Sequence, residues 1–332
     1  MRYSLIFCCQ VITLVVLSVG SHSVVAQSLI DTLDQKAAGE DFAFQGEYTG
    51  NIATDDGPLK LGLQVIAQGK GSFELKAYPG GLPGDGWGDE EIVTASGVLK
   101  DGEVVIVADE GTAVLSNGKA TISNNDGVQV GILTRVVRKS STLGKKPPQE
   151  ATVLFDGSSA DHFQNGKISE EGWLIQGTKT KLLMGSFQLH LEFLLPFKPE
   201  ARGQGRGNSG CYMQSRYEVQ VLDSFGLEGK NNECGGIYSI KAPDVNMCFP
   251  PLSWQTYDIN FTAAKFDDAG KKSSNARMTV RHNGVLIHDD IELPKSTTAS
   301  PLKEGPENGP LYLQDHGNQI RYRNIWVVPQ AN

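Results

Sequence analysis

Three dipeptides limit what this chain can fold into: Asp101-Gly102, Asn117-Gly118 and Asn283-Gly284. Each stands between two short apolar runs. Gly97–Leu99 is followed by Glu103–Val107, Thr112–Leu115 by Lys119–Ile122, and Arg277–His282 by Val285–Glu292. Asp-Gly or Asn-Gly in such a place marks a two-residue hairpin, because both central residues need positive φ. Strands joined this way are antiparallel neighbours. The chain has 38 glycines and many short Val/Ile/Leu runs between turn pairs, which predicts an all-β protein. No convincing amphipathic helix follows any strand, so the crossover helices of a parallel α/β fold are missing.

Four parts follow along the chain. Residues 1–26 read as a secretory signal peptide: Arg2, an apolar run from Leu5 to Val19, then Val24-Val25-Ala26 at the cleavage position. The run is too short for a comfortable bilayer span, and no later stretch is apolar enough to be one. An exported protein, periplasmic or extracellular, is expected. Residues 27–137 form a small antiparallel β domain after a short helix or loose lead-in over 27–40. Its strands include Leu61–Ile66 and Ser72–Tyr78, and the glycine-rich loop Pro79–Trp87 reads as a packed loop whose Trp87 closes the sheet end. Residues 138–150, rich in charge, Ser/Thr, Gly and Pro, read as a flexible linker between halves that fold alone. Residues 151–332 repeat the β pattern on a larger scale. About ten strands, among them Phe187–Leu195, Gly210–Gln214, Tyr217–Leu222, Gly236–Ile240, Trp254–Phe261 and Ile320–Val328, predict a two-sheet jelly-roll sandwich.

Composition narrows the partners. Net charge is -8, and beyond Lys145-Lys146 there is no basic tract, so nucleic acid is not an expected partner. Behind the signal peptide stand Cys211, Cys234 and Cys248. Cys234 and Cys248 lie in one loop region and are expected to form a disulfide, which leaves Cys211 as a buried apolar residue in a strand. No CxxC or HxxxH spacing supports zinc. No cofactor is expected, and a divalent metal is left open.

Candidate chemistry begins at Tyr217–Ser224. Period-two alternation sends Tyr217, Val219 and Val221 to one face of a strand, and Arg216, Glu218 and Gln220 to the other, with Asp223 at the end. Other strands carry polar residues in the same rhythm: His190 with Glu192, Tyr212 with Gln214, Tyr312 with Gln314 and His316, Arg321 with Arg323. If those faces coincide, one concave sheet gathers acids, amides, arginines and aromatics. Such a groove suits a hydroxyl-rich ligand, since amides and arginines fork onto adjacent hydroxyls and carboxylates accept from them.

Seven segments in order carry a family resemblance. They are Gly207–Gly210, Tyr217–Asp223, Cys234–Tyr238, Trp254–Asp258, Asn283–Val285, Leu313–Gly317 and Arg323–Trp326. Together they resemble the 3-keto-disaccharide hydrolase domain over roughly residues 151–330, opening on Leu154-Phe155-Asp156-Gly157. His162-Phe163 replaces the Trp usual soon after that opening. The resemblance implies a concanavalin-like jelly roll and a carbohydrate substrate. The front domain is similar to a companion module in planctomycete proteins of this type, and that likeness implies no activity.

A ketone at C3 of a sugar acidifies the proton on C2. A base removes it, an enolate forms, and the group on C1 leaves; water adds afterwards. Glu218 and His316 are the candidate bases, Arg216 and Arg323 the candidate oxyanion stabilisers, and Asp223 and Tyr238 the candidate proton donors. Gln220, Glu192 and Gln314 complete the expected binding face. Ordinary glycoside hydrolysis would instead need two carboxyls about 5–5.5 Å or about 6.5–9.5 Å apart; Glu218 with Glu192 or Asp223 is the candidate pair. A lectin-like module on the same fold, without catalysis, is the alternative function.

Overall fold

The computed structural model describes residues 29–331; the expected signal peptide falls outside the described residues, within which nearly all of the regular structure is strand. A 3-10 turn (Gln35–Ala37) and a short helix α1 (Gly39–Phe44) lead into eight strands. These are β1 (Gly46–Thr54), β2 (Gly57–Gly69), β3 (Ser72–Pro79), β4 (Val93–Lys100), β5 (Glu103–Ala108), β6 (Gly111–Ser116), β7 (Lys119–Ser123) and β8 (Gln129–Val136). Each pairs antiparallel with its sequence neighbour, and β8 returns to β1, with Glu47 opposite Val136 and Ile52 opposite Gly131. The small β domain is thus a closed up-and-down barrel, with no free sheet edge. The hairpin dipeptides behave as their chemistry requires. Asp101 and Gly102 have φ of 52° and 81°, Asn117 and Gly118 48° and 71°, and Asn283 and Gly284 53° and 87°.

The remaining strands build the sandwich. They are β9 (Thr152–Phe155), β10 (Phe163–Gln164), β11 (Leu174–Ile175), β12 (Thr178–Met184), β13 (Ser186–Leu194), β14 (Asn208–Met213), β15 (Tyr217–Leu222), β16 (Trp254–Thr262), β17 (Lys265–Phe266), β18 (Lys272–Ser274), β19 (Ala276–His282), β20 (Val285–Leu293), β21 (Gly309–Leu313) and β22 (Arg321–Gln330). One sheet has the order β10-β12-β21-β14-β15; the other runs β11-β22-β13-β16-β19-β20, with β9 on β22. Cys211, Val219, Val221 and Leu313 of the first sheet meet Leu189, Leu191, Phe193 and Tyr257 of the second in one buried core. Alternation then sends Glu218 outward from the first sheet, and His190 and Glu192 outward from the second. The two sets of polar residues lie on opposite faces of the sandwich.

Three expectations need correction. Gly236–Ile240 is not a strand; it is a loop that makes an isolated bridge from Ile237 to Val219 and lies along β15. Cys234 and Cys248 are free thiols, as is Cys211, and all three are buried. The Cys234 thiol bonds the Tyr257 hydroxyl at 3.3 Å and the Cys248 thiol, while Cys248 reaches the carbonyls of Leu222 and Phe249. The expected disulfide partners are neighbours, held by hydrogen bonds. Nor is the stretch after the barrel a free tether. Ser140 Oγ bonds Thr256 Oγ1 at 2.6 Å, Thr142 Oγ1 donates to Asp258 at 2.6 Å, and Gly144 N donates to Glu192 at 2.6 Å. Arg138 joins the halves: it pairs with Glu47 of β1 at 2.5 Å and lies 5.0 Å over the Phe249 ring. Phe197 and Leu252 of the sandwich are packed into the barrel core.

Candidate active site

Glu218 sits in the middle of β15, opposite Tyr212 of β14, with Tyr312 of β21 on the far side of Tyr212. The carboxylate folds back over Gly210. Any Cβ there would collide with Glu218 Oε1 and the Tyr212 ring, so the glycine opens the space the acid occupies. Segment 235–238 runs beside β15: Gly235 N donates to Gln220 O at 3.0 Å and Tyr238 N to Glu218 O at 3.2 Å. On its other flank Glu218 N donates to Thr297 Oγ1 at 3.0 Å. These loops cover the sheet and leave Glu218 only 3% exposed.

The acid has one side-chain partner. Gln314 Nε2 donates to the Tyr212 hydroxyl at 3.3 Å, and that hydroxyl donates to Glu218. No Lys, Arg or His among the described residues forms an ion pair with it. Burial therefore dominates, and the Glu218 carboxyl is pushed up from 4.5 to about 7, against the smaller lowering by the Tyr212 hydrogen bond. Tyr212 is itself held far above its ordinary value by burial and then by the Glu218 charge, so it stays a donor. The rings of Tyr212 and Tyr312 lie 5.4 Å apart, and Lys179 Nζ is 5.0 Å above the Tyr312 ring. Beside Glu218 on the same face, Gln220 Nε2 reaches Gln204 Oε1 at 3.1 Å. The result is a proton acceptor near neutrality, flanked by phenols and amides.

Of the residues expected from sequence, the structure brings Glu218, Gln220, Tyr238 and Gln314 together. The others stand elsewhere. Arg216 is spent on a neighbouring loop: Nε donates to Lys303 O at 2.7 Å and Nη1 to Gln214 Oε1 at 3.0 Å and Glu307 O at 2.8 Å. Asp223 is buried in an ion pair with Arg206 Nε at 2.8 Å, and its other oxygen accepts from Phe225 N. Both of its oxygens are thus committed to structural bonds. His316 is exposed, and its backbone carbonyl accepts from Asn318 Nδ2 at 3.5 Å. Glu192 and Arg323 pair with each other at 2.7 Å on the other sheet.

That second cluster has a different character. Glu192 accepts from Arg323, from Asn324 Nδ2 at 2.9 Å and from Gly144 N, with His190 close by. Burial would raise its carboxyl, yet the hydrogen bonds from His190, Asn324, Arg323 and Gly144 outweigh it and hold it at about 2. Asp258 is also held at about 2 against burial by His190, Thr142 and Lys145. His190 stacks on Trp326 with centroids 5.2 Å apart, and Arg323 lies 3.9 Å over the Trp254 ring. Both carboxylates here are already satisfied, and the cluster fastens residues 140–145 to the sheet.

Sequence reasoning placed Tyr212 on a polar face and gave it no role, and it overlooked Lys179. The signal for Tyr212 is register. The short Gln214-Ser215 turn puts residue 212 opposite residue 218, so the hairpin alone pairs the phenol with the acid.

The 3-keto-alpha-glucoside-1,2-lyase-like domain matches residues 150–328. A crystal structure from Parabacteroides distasonis, of a protein provisionally assigned as a glycosyl hydrolase, is 30% identical over 55% of this chain and 85% of its own, with a TM-score of 0.51. A second structure from the same organism, with the same assignment, is 17% identical over 55% of this chain and 94% of its own, with a TM-score of 0.40. No curated protein matches.

Proposed function

Since this chain belongs to the 3-keto-alpha-glucoside-1,2-lyase-like domain family, a carbohydrate-acting one, we propose that it eliminates the C1 substituent of a 3-keto-glycoside, with Glu218 as the base. The observation that carries this reading is a buried carboxyl near pKa 7 with no ion-pair partner among the described residues. A base of that strength is half ionised at neutral pH, where general-base catalysis works best. In the reaction Glu218 takes the proton from C2. The electron pair forms the enolate with the C3 ketone, and its collapse expels the C1 oxygen, which takes up a proton. Addition of water to the resulting double bond turns the elimination into net hydrolysis.

Tyr212 orients Glu218 through its hydrogen bond, and Gln314 fixes the direction of that bond. Tyr238 and Gln220 lie where hydroxyls of the sugar would be bound. Two-carboxylate hydrolysis fits less well. Asp223 is paired with Arg206, and Glu192 faces the opposite side of the sandwich, so neither serves as the second acid.

The test is turnover of a 3-keto-glucoside against pH. kcat/KM should rise through a pKa near 7, because only the ionised Glu218 accepts the proton. Glu218→Gln keeps the shape and should lower turnover by about a hundredfold or more. A profile flat across this range, or a fully active variant, would remove Glu218 as the base.

A further inference from the structure

The barrel encloses a cavity that the sandwich chemistry does not use. At one end the inward positions are filled: Tyr48, Phe73, Val104, Leu115 and Leu133 meet there, and Phe44 closes on Phe73 with rings 6.1 Å apart. α1 and Phe197 plug that end. Toward the other end the same strands turn inward Ala77, Ala95 and Ala113, which are too small to meet across the barrel. A cavity of about 700 Å³ remains, walled by apolar side chains of all eight strands. An eight-stranded barrel is just wide enough to be filled by its own side chains or to hold one small ligand, and this volume lies within the usual range for small-molecule sites.

Two features show that this space opens outward. Ile52, Val93, Ala108, Ile122 and Val130 line it and are only half-buried, and Leu59 is exposed. The apolar wall is therefore in contact with solvent at the open end, where covering it by an apolar ligand is favourable. The rim is mainly acidic, with Lys60 of β2 reaching it to pair with Asp85 at 3.5 Å. The four connections at this end, residues 55–56, 80–92, 109–110 and 124–128, carry nine carboxylates and no Lys or Arg. Asp55 and Glu110 stand among the residues lining the cavity itself. At the plugged end the hairpins include Lys70, Lys100 and Lys119.

We infer that the barrel is a binding module for a small apolar molecule with a cationic end, the apolar body inside the cavity and the positive charge at the acidic rim. An acidic rim raises the local concentration of cations and repels anions, so a fatty-acid carboxylate is disfavoured at a mouth whose shape would otherwise admit it. The inference is independent of the sandwich chemistry, because every residue lining the cavity and every carboxylate of its rim precedes residue 150.

The full-length protein can be titrated with N-phenyl-1-naphthylamine, a neutral fluorophore that brightens in apolar sites. Dodecyltrimethylammonium and dodecanoate, both below micelle formation, are then used to displace it. The fluorophore should bind, and the cation should displace it at a concentration at least about tenfold below the anion, a gap that narrows in high salt. Ala95→Phe puts a ring into the cavity and should weaken fluorophore binding at least about tenfold. The double variant Asp55→Asn, Glu110→Gln changes exposed side chains only; it should keep fluorophore binding and shrink the preference for the cation. Absence of fluorophore binding to the folded protein, fluorophore binding undiminished by Ala95→Phe, or equal displacement by anion and cation would overturn the inference.

Discussion

Glu218 and Glu192 sit on neighbouring strand systems of one sandwich, each facing away from the shared core, each almost fully buried. One is held at about 7, the other at about 2. Burial is the largest influence on both and raises both. The difference is the company each acid keeps. Glu192 has a guanidinium, an amide, a backbone N–H and an imidazole around it; Glu218 has one phenol. A buried carboxylate with full partners is a structural fastener, and one denied partners retains its appetite for a proton. Sequence could not separate the two, because both occupy polar positions of alternating strands and both look equally acidic on paper.

The contrast is broken most severely by the matched pair of variants Glu218→Gln and Glu192→Gln. The first should cost about a hundredfold or more in turnover and leave the fold intact. The second should leave turnover near wild type and lower stability by about 2 kcal/mol, since Glu192 loses charge-assisted bonds but Arg323 remains half-exposed and is partly screened. Freed of its anchor at Gly144, the segment 138–146 should also become open to proteolysis. A Glu192→Gln protein that is stable but inactive would move the chemistry to the other sheet.

Stability against pH sharpens the same comparison. The Glu218 carboxyl rises from 4.5 to about 7 on folding, so the folded state holds the proton more tightly. Its contribution is fully present below pH 4.5, is lost as pH rises toward 7, and stays lost above. At about 1.36 kcal/mol per pH unit this is a loss of about 3 kcal/mol. Glu218→Gln should therefore be more stable than wild type at pH 8 by about 2–3 kcal/mol, and equal to it near pH 4. Glu192 and Asp258, held at about 2, act in the opposite sense, and their stabilisation is lost as pH falls from about 4.5 toward 2. Denaturant titrations at pH 3, 5 and 8 separate the two slopes. Equal stability of Glu218→Gln and wild type at pH 8 would mean that Glu218 is not an unpaired acid.

How much of this was legible follows from range. Hairpins are local: Asp101-Gly102, Asn117-Gly118 and Asn283-Gly284 announced theirs, and alternation gave the correct outward face for Glu218 and Gln220. Closure of the barrel depends on β8 meeting β1 some eighty residues away, and no local pattern carries it. The same holds for the sorting of Glu192 and Arg323 to the opposite face, which depends on which sheet each strand joins. The Pro-, Lys- and Ser-rich stretch after the barrel looked like solvent-loving linker, yet Ser140, Thr142 and Gly144 find buried acceptors on β13 and β16. Its polarity was complementary to a site and not merely to water.

Tyr212→Phe tests the one partner Glu218 does have, and its expected effect is the smallest. The phenol donates to the carboxylate, which favours the charged form. Removing it should raise the Glu218 pKa further, by about one unit if the bond contributes about 1.5 kcal/mol. The rising limb of kcat/KM should move to higher pH by the same amount, so turnover at pH 7 falls several-fold while turnover at pH 9 recovers to near wild type. Tyr212 is then a positioning residue that tunes the base. A drop that persists at pH 9 would give the phenol a place in the chemistry itself, as the donor to the departing oxygen. A limb that shifts to lower pH would contradict the assigned direction of the hydrogen bond, in which Gln314 donates to Tyr212 and Tyr212 to Glu218.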